Sequence, residues 1–148
     1  MTRSALTLAA LCAACTPDLT TDFVGEWSLS SGQKQEDCGP GLQKTLPLSP
    51  GTIEASIAAE SHESVRIAWR SYYLGQLRGS CDMVGTTEDG VRLQLLSRVC
   101  AVATPPLSII DGDLLVTESR ALTMRWLADA AAGAGTCRQT WDAVLVRK

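Results

Sequence analysis

The stretch Phe23-Val24-Gly25-Glu26-Trp27-Ser28-Leu29-Ser30 decides how the chain is read. Side chains alternate across a strand, so Phe23, Gly25, Trp27 and Leu29 fall on one face and Val24, Glu26, Ser28 and Ser30 on the other. This predicts a half-buried first strand of an antiparallel barrel. Nothing in the sequence spells out a reaction; it specifies where the chain resides, how it is held there and what shape it takes.

Downstream, short alternating segments repeat at hairpin rhythm. A second strand is expected over residues 45–59, bent at Pro47 and Pro50, with Ile53, Ala55, Ile57 and Ala59 inward. Val65, Ile67 and Trp69 mark the third strand and residues 77–84 the fourth. Residues 91–99 form the fifth, with Val91, Leu93, Leu95 and Val99 inward. Residues 107–110 make a short sixth strand, ended by the strong hairpin signal Asp111-Gly112. The seventh strand is assigned to 113–127 and the eighth to 136–147. The expected fold is all-β: an eight-stranded antiparallel up-and-down barrel. In such a meander the loops 31–44, 71–76, 100–106 and 129–135 share one end, and the turns 60–63, 85–90 and 111–112 share the other. Trp27, Trp69, Trp126 and Trp141 all point inward in this reading. An eight-stranded barrel is just wide enough to be filled by its own side chains or to hold one small ligand. An interior cavity above roughly 300 Å³ favours a carrier, and a filled interior opposes it.

The 148 residues suffice for one domain with a core. The net charge of -3, with no basic block, speaks against a nucleic-acid partner. Met1-Thr2-Arg3, an apolar run to Leu11 and the small residues that follow read as a secretory signal peptide. A buried helix is the competing reading; nothing caps it and Pro17 follows at once. Ala13-Ala14-Cys15 resembles the lipobox of bacterial lipoproteins. That resemblance implies cleavage before Cys15, lipid attachment at Cys15 and anchoring to the membrane. Thr16 in place of Asp implies outer-membrane sorting in a Gram-negative cell. Ordinary cleavage after Ala14, giving a secreted protein, is the alternative. The expected organisation is a signal peptide over 1–14, a lipidated tether over 15–22 and a barrel over 23–148.

Cys38, Cys81, Cys100 and Cys137 form an even set in an exported chain, which reads as two disulfides with three possible pairings. All four map to the loop-rich end. Cys81 and Cys100 lie atop adjacent strands four and five; Cys38 follows strand one and Cys137 opens strand eight, which are neighbours if the barrel closes. The expected pairs are therefore Cys81–Cys100 and Cys38–Cys137. A zinc site is the rival reading, but no C-x-x-C pair exists in the mature chain and only His62 is available to join.

Gly25-Glu26-Trp27 resembles the G-x-W signature of lipocalins, a family of eight-stranded barrels with the Trp at the closed bottom. The resemblance implies a basic residue from the last strand covering that Trp. Arg147 shares the phase of Trp141 and Leu145 and fits this part, as a cation over an indole.

The remaining chemistry-bearing residues offer little for catalysis. His62, in Ser61-His62-Glu63-Ser64, lies on an expected turn, and triad members normally converge from separate rigid segments. No enzyme, metal site or cofactor is expected. Glu118 and Arg120 alternate onto the inner face of the seventh strand, where a buried pair suits the polar group of a ligand. A bulge at Ser119 or an ion pair without ligand are the alternatives. Tyr72 and Tyr73 stand on the open rim and suit a ligand or a partner. The expected function is an envelope lipoprotein whose disulfide-braced barrel binds a small apolar ligand. The alternative is a structural or protein-interaction lipoprotein with a filled barrel.

Overall fold

The structure, a computed structural model, describes residues 17–100, 106–132 and 135–148. The segment expected to be a signal peptide and the expected lipid-attachment residue Cys15 lie outside that set. Ten strands are present and, among the described residues, no helix. They are β1 (Gly25–Asp37), β2 (Gln43–Pro47), β3 (Ile53–Ala59), β4 (Ser64–Tyr73) and β5 (Gln76–Thr86). The remainder are β6 (Arg92–Leu95), β7 (Arg98–Cys100), β8 (Leu107–Val116), β9 (Leu122–Ala132) and β10 (Gly135–Arg147). Their order, β10-β9-β8-β6-β5-β4-β3-β1, closes through β1–β10 pairing into an eight-stranded antiparallel barrel, with β2 and β7 as extra strands. The up-and-down barrel expected from the alternating pattern is thus the fold.

The inner face is apolar from the bottom to mid-height because the alternation holds there. Trp27, Ile57, Ile67, Met83, Leu122 and Leu145 are all buried in one cluster. The bottom is plugged. Asp18 accepts hydrogen bonds from the Thr20 backbone N–H and hydroxyl, which hold its carboxyl below the ordinary range. That turn seats Thr20 and Phe23 fully out of solvent, and Leu19 N–H donates to the His62 carbonyl. Within the expected lipidated tether over 15–22, the residues from Asp18 onward are thus part of the barrel's floor.

Several strand boundaries differ from expectation for identifiable reasons. β1 does not end at Ser30 but runs to Asp37, so the expected loop 31–44 shrinks to a tight turn. A bulge between Leu29 and Ser31 shifts the register against β10, so the inward phase passes from odd to even positions. The expected second strand is two, broken around Pro47 and Pro50: β3 pairs with the lower part of β1 and β2 with the upper part of the same edge. The expected fifth strand is also two, β6 and β7, and Val91 and Val99 are exposed rather than inward.

Asp111-Gly112 is not a hairpin. β8 runs straight through it, with a bulge between Ile109 and Asp111, and the turn lies at residues 117–121. Gly112 is required for space: a Cβ there would stand 2.9 Å from Cδ1 of Trp126. The long Ala/Gly loop over 129–135 is mostly strand, since β9 and β10 pair from Leu122↔Leu145 to Ala132↔Gly135.

Candidate functional site

The two ends of the barrel position different chemistry. At the bottom, the Arg147 guanidinium lies 4.7 Å from the Trp27 ring centroid, and the indole N–H donates to the Phe23 carbonyl at 2.8 Å. Gly25 makes this possible. Its φ of +145° suits glycine, and a Cβ would meet Arg147 Nη1 at 3.0 Å. Gly25 and Trp27 of the short motif and the terminal arginine therefore form one closing device.

At the top, the shifted phase of β1 turns Lys34 and Glu36 to the same face as Trp141 and Gln139, their register partners on β10. The Lys34 ammonium lies 2.7 Å from Glu36 and 5.2 Å from the Trp141 ring centroid. Lys44 of β2 reaches the other Glu36 oxygen at 2.9 Å. Gln139 donates its amide N–H to Glu36 at 3.0 Å and accepts from the Trp141 indole at 3.0 Å. Burial alone would raise the Glu36 pKa. The hydrogen bonds and charges of Lys34 and Lys44 outweigh it and hold the carboxyl below its ordinary range.

This network borders a cavity of about 190 Å³ at the mouth, walled by Trp69, Trp126 and Trp141 and reached by Lys34, Arg78 and Gln139. The Trp69 and Trp126 rings are 4.2 Å apart and tilted by 52°; Trp126 and Trp141 are 6.3 Å apart and tilted by 41°. Cys81 and Cys100 form part of the same wall. Trp126 Nε1 is buried and has no hydrogen-bond acceptor, the sole such side-chain atom found among the described residues. Larger hollows of about 370 and 430 Å³ lie outside the barrel over the Arg92–Asp113 and Arg125–Asp142 ion pairs, and one of about 470 Å³ is lined by Gln35, Glu36, Lys44 and Arg138.

The disulfides are Cys38–Cys137 and Cys81–Cys100. The first staples β1 to β10 at the mouth. The second stands where the wall is weakest. β5 meets β6 only at Gly85↔Leu95 and Thr86↔Gln94, and above a single Leu96 N–H to Val84 C=O bond the disulfide holds the gap. Two such bridges are the chemistry of an oxidising, extracytoplasmic compartment.

The other sequence-derived candidates fall elsewhere. Glu118 and Arg120 are corrected: they sit exposed on the bottom turn 117–121, Arg120 at φ 58°, because the strand break moves from Asp111-Gly112 to this point. Tyr72 and Tyr73 lie on the rim hairpin but do not line the cavity. The Tyr72 hydroxyl donates to Glu54 at 3.2 Å, and Tyr73 is exposed under Arg78. His62 pairs with Glu63 at 3.3 Å on an exposed turn, while the Ser61 and Ser64 hydroxyls bond each other. Among the described residues there is no cluster of ligands for a metal ion. Lys34, Glu36 and Gln139 escaped the sequence reading. Their available signal was the Gly32-x-Lys34-x-Glu36 alternation, which is polar on the inward side.

No protein-family model matches the chain, and no curated protein matches it significantly. Solved structures do. A redesigned β-barrel superposes with a TM-score of 0.57 at 10% identity, covering 90% of this chain and 97% of that one. EF1p2_mFAP2b bound to DFHBI gives 0.56 at 12% identity, covering 88% and 98%. A candidate outer membrane protein of Bacteroides fragilis gives 0.54 at 11% identity, covering 86% of this chain and 53% of that one. At such identities the likeness is one of fold.

Proposed function

We propose that the chain is a non-catalytic, lipid-anchored envelope barrel that binds one small, largely apolar molecule at its open end. The observation that carries this reading is the buried Trp126 N–H with no acceptor, beside a tryptophan-walled cavity of about 190 Å³. A buried donor left unpaired costs about 1–3 kcal/mol, and a bound acceptor removes that cost. The volume falls short of the roughly 300 Å³ of an ordinary carrier site, so the ligand is of fragment size. A barrel of like fold is described bound to DFHBI, which supports a small-molecule role for this architecture. The signal sequence, cleavage before Cys15 and lipid on Cys15 complete the reading. The packing of residues 18–23 into the bottom of the barrel supports an anchor beneath it and a mouth facing away from the membrane.

Native mass spectrometry of the protein purified from its own envelope tests this. The expected result is a chain beginning at acylated Cys15, two disulfides and a releasable small-molecule adduct. A mature terminus without lipid sinks the anchoring, and a chain without any adduct, even after gentle extraction, counts against the carrier role.

A second reading, a protein-interaction lipoprotein, is favoured by the rim hairpin. Leu74 is 86% exposed and holds φ 50°, while Tyr73 and Leu77 beside it are also exposed. A bulky residue held in the left-handed region without burial is a conformational cost with no return inside this fold. Replacing Leu74 by Asn should stabilise the isolated barrel while abolishing any partner capture in crosslinked envelopes. Unchanged crosslinks would remove this reading.

A further inference from the structure

We infer that the mouth takes a small planar anion, a single aromatic or heteroaromatic ring bearing a carboxylate or a similarly charged acceptor; this rests on the mouth being the ligand site. Three independent features point the same way. The first is charge. Lys34 and Arg78 line the cavity and no carboxylate does, and residues 101–105 and 133–134, outside the described set, contain no Asp or Glu. The nearest acid, Glu36, is engaged by Lys34, Lys44 and Gln139. Arg78 forms no ion pair among the described residues and rests 5.8 Å from the Tyr73 ring, so its guanidinium is available at the rim. A cation-lined, partly desolvated cleft attracts anions.

The second feature is hydrogen-bonding polarity. Trp126, one of the walls of the cavity, carries a buried indole N–H with no acceptor, and the Gln139 amide, which would offer both a donor and an acceptor to a neutral ligand, has both ends engaged. The charged group left open to a ligand is a donor, Arg78, and the Ser71 and Ser80 hydroxyls in the wall can donate as well, so an acceptor-only group such as a carboxylate matches the site. The third is shape. Trp126 is tilted by 52° to Trp69 and by 41° to Trp141, and the three indoles form flat walls that favour offset or edge-on packing of a ring. The open-mouthed space of about 190 Å³ beside them exceeds the ~150 Å³ that suffices for benzene, with room left for one charged substituent.

Isothermal titration of the intact, oxidised protein with benzoate, benzamide and cyclohexanecarboxylate tests the inference. Benzoate is expected to bind at least about fivefold tighter than either of the other two. Arg78→Ala, at an exposed site, is expected to weaken benzoate at least about fivefold more than it weakens benzamide. Benzamide binding as well as benzoate, or benzoate indifferent to Arg78→Ala, overturns the anion preference while the ligand site stands. Cyclohexanecarboxylate binding as well as benzoate overturns planarity. If none of the three binds, the reading of the mouth as a ligand site itself falls.

Discussion

Both ends of this barrel place a cation over a tryptophan, and they differ in what happens to the indole N–H. At the bottom, Arg147 lies over Trp27, and the chain itself supplies an acceptor, the Phe23 carbonyl. At the top, Lys34 lies over Trp141, whose N–H is satisfied by Gln139, but Trp126 behind it has none. The closed end satisfies its polar groups from within. The open end leaves one valence unfilled beside a cavity, in a position where buried polar groups are otherwise paired. Closure and the proposed binding thus draw on the same residue types, separated by whether the chain folds back to cap them.

The contrast can be broken most severely through the disulfides. Cys38–Cys137 spans 99 residues and Cys81–Cys100 spans 19. On loop-closure grounds, removing the first by paired Ser substitutions should cost roughly 4–5 kcal/mol and removing the second about 3 kcal/mol. Urea unfolding measures both. The order should reverse for ligand binding, because Cys81 and Cys100 stand in the cavity wall across a nearly unpaired ladder, whereas β1 and β10 remain hydrogen-bonded along their length. Equal losses of binding in the two variants would contradict that division.

Next in size, Trp27→Ala should destabilise by about 3–5 kcal/mol as a fully buried aromatic is lost. Trp141→Ala, only partly buried, should cost less and should impair binding instead. The Trp→Phe pair is finer. Both leave a similar void, but Trp27→Phe also orphans the Phe23 carbonyl, whereas Trp126→Phe removes a donor that had no partner. In ligand-free protein the two should differ by roughly 1–2 kcal/mol, Trp27→Phe being the less stable.

The smallest effect is on acidification. The Glu36 carboxyl is held below its unfolded value, so its contribution to stability is present above roughly pH 4.3, the unfolded glutamate value. It is lost as pH falls through the lower folded value. Glu36→Gln should lack that part of the acid loss, read as a flatter stability profile below pH 4.3. An identical acid limb in wild type and variant would remove Glu36 from the network's energetics.

The sequence showed the closed end clearly and the open end poorly, for one physical reason. Below mid-height the inner face is apolar, so Trp27, Leu29, Ile57 and Ile67 announce their phase by alternation. All four cysteines crowd one end, which made their pairing readable from strand adjacency alone. Above the Leu29/Ser31 bulge the phase flips and the inward residues are Lys34 and Glu36. A polar inner face is indistinguishable from a loop by hydrophobic pattern. The same limit misplaced Glu118 and Arg120: Asp-Gly is strong turn chemistry, and only the three-dimensional contact of Gly112 with Trp126 reveals why glycine stands there.

The most direct measurement of the central claim is the response of the indole N–H resonances of Trp27 and Trp126, followed by ¹H–¹⁵N correlation spectra during titration with benzoate. The account predicts that the Trp126 signal moves downfield as it gains an acceptor while the Trp27 signal stays in place. A stationary Trp126 signal, or one that moves only together with Trp27, would contradict it.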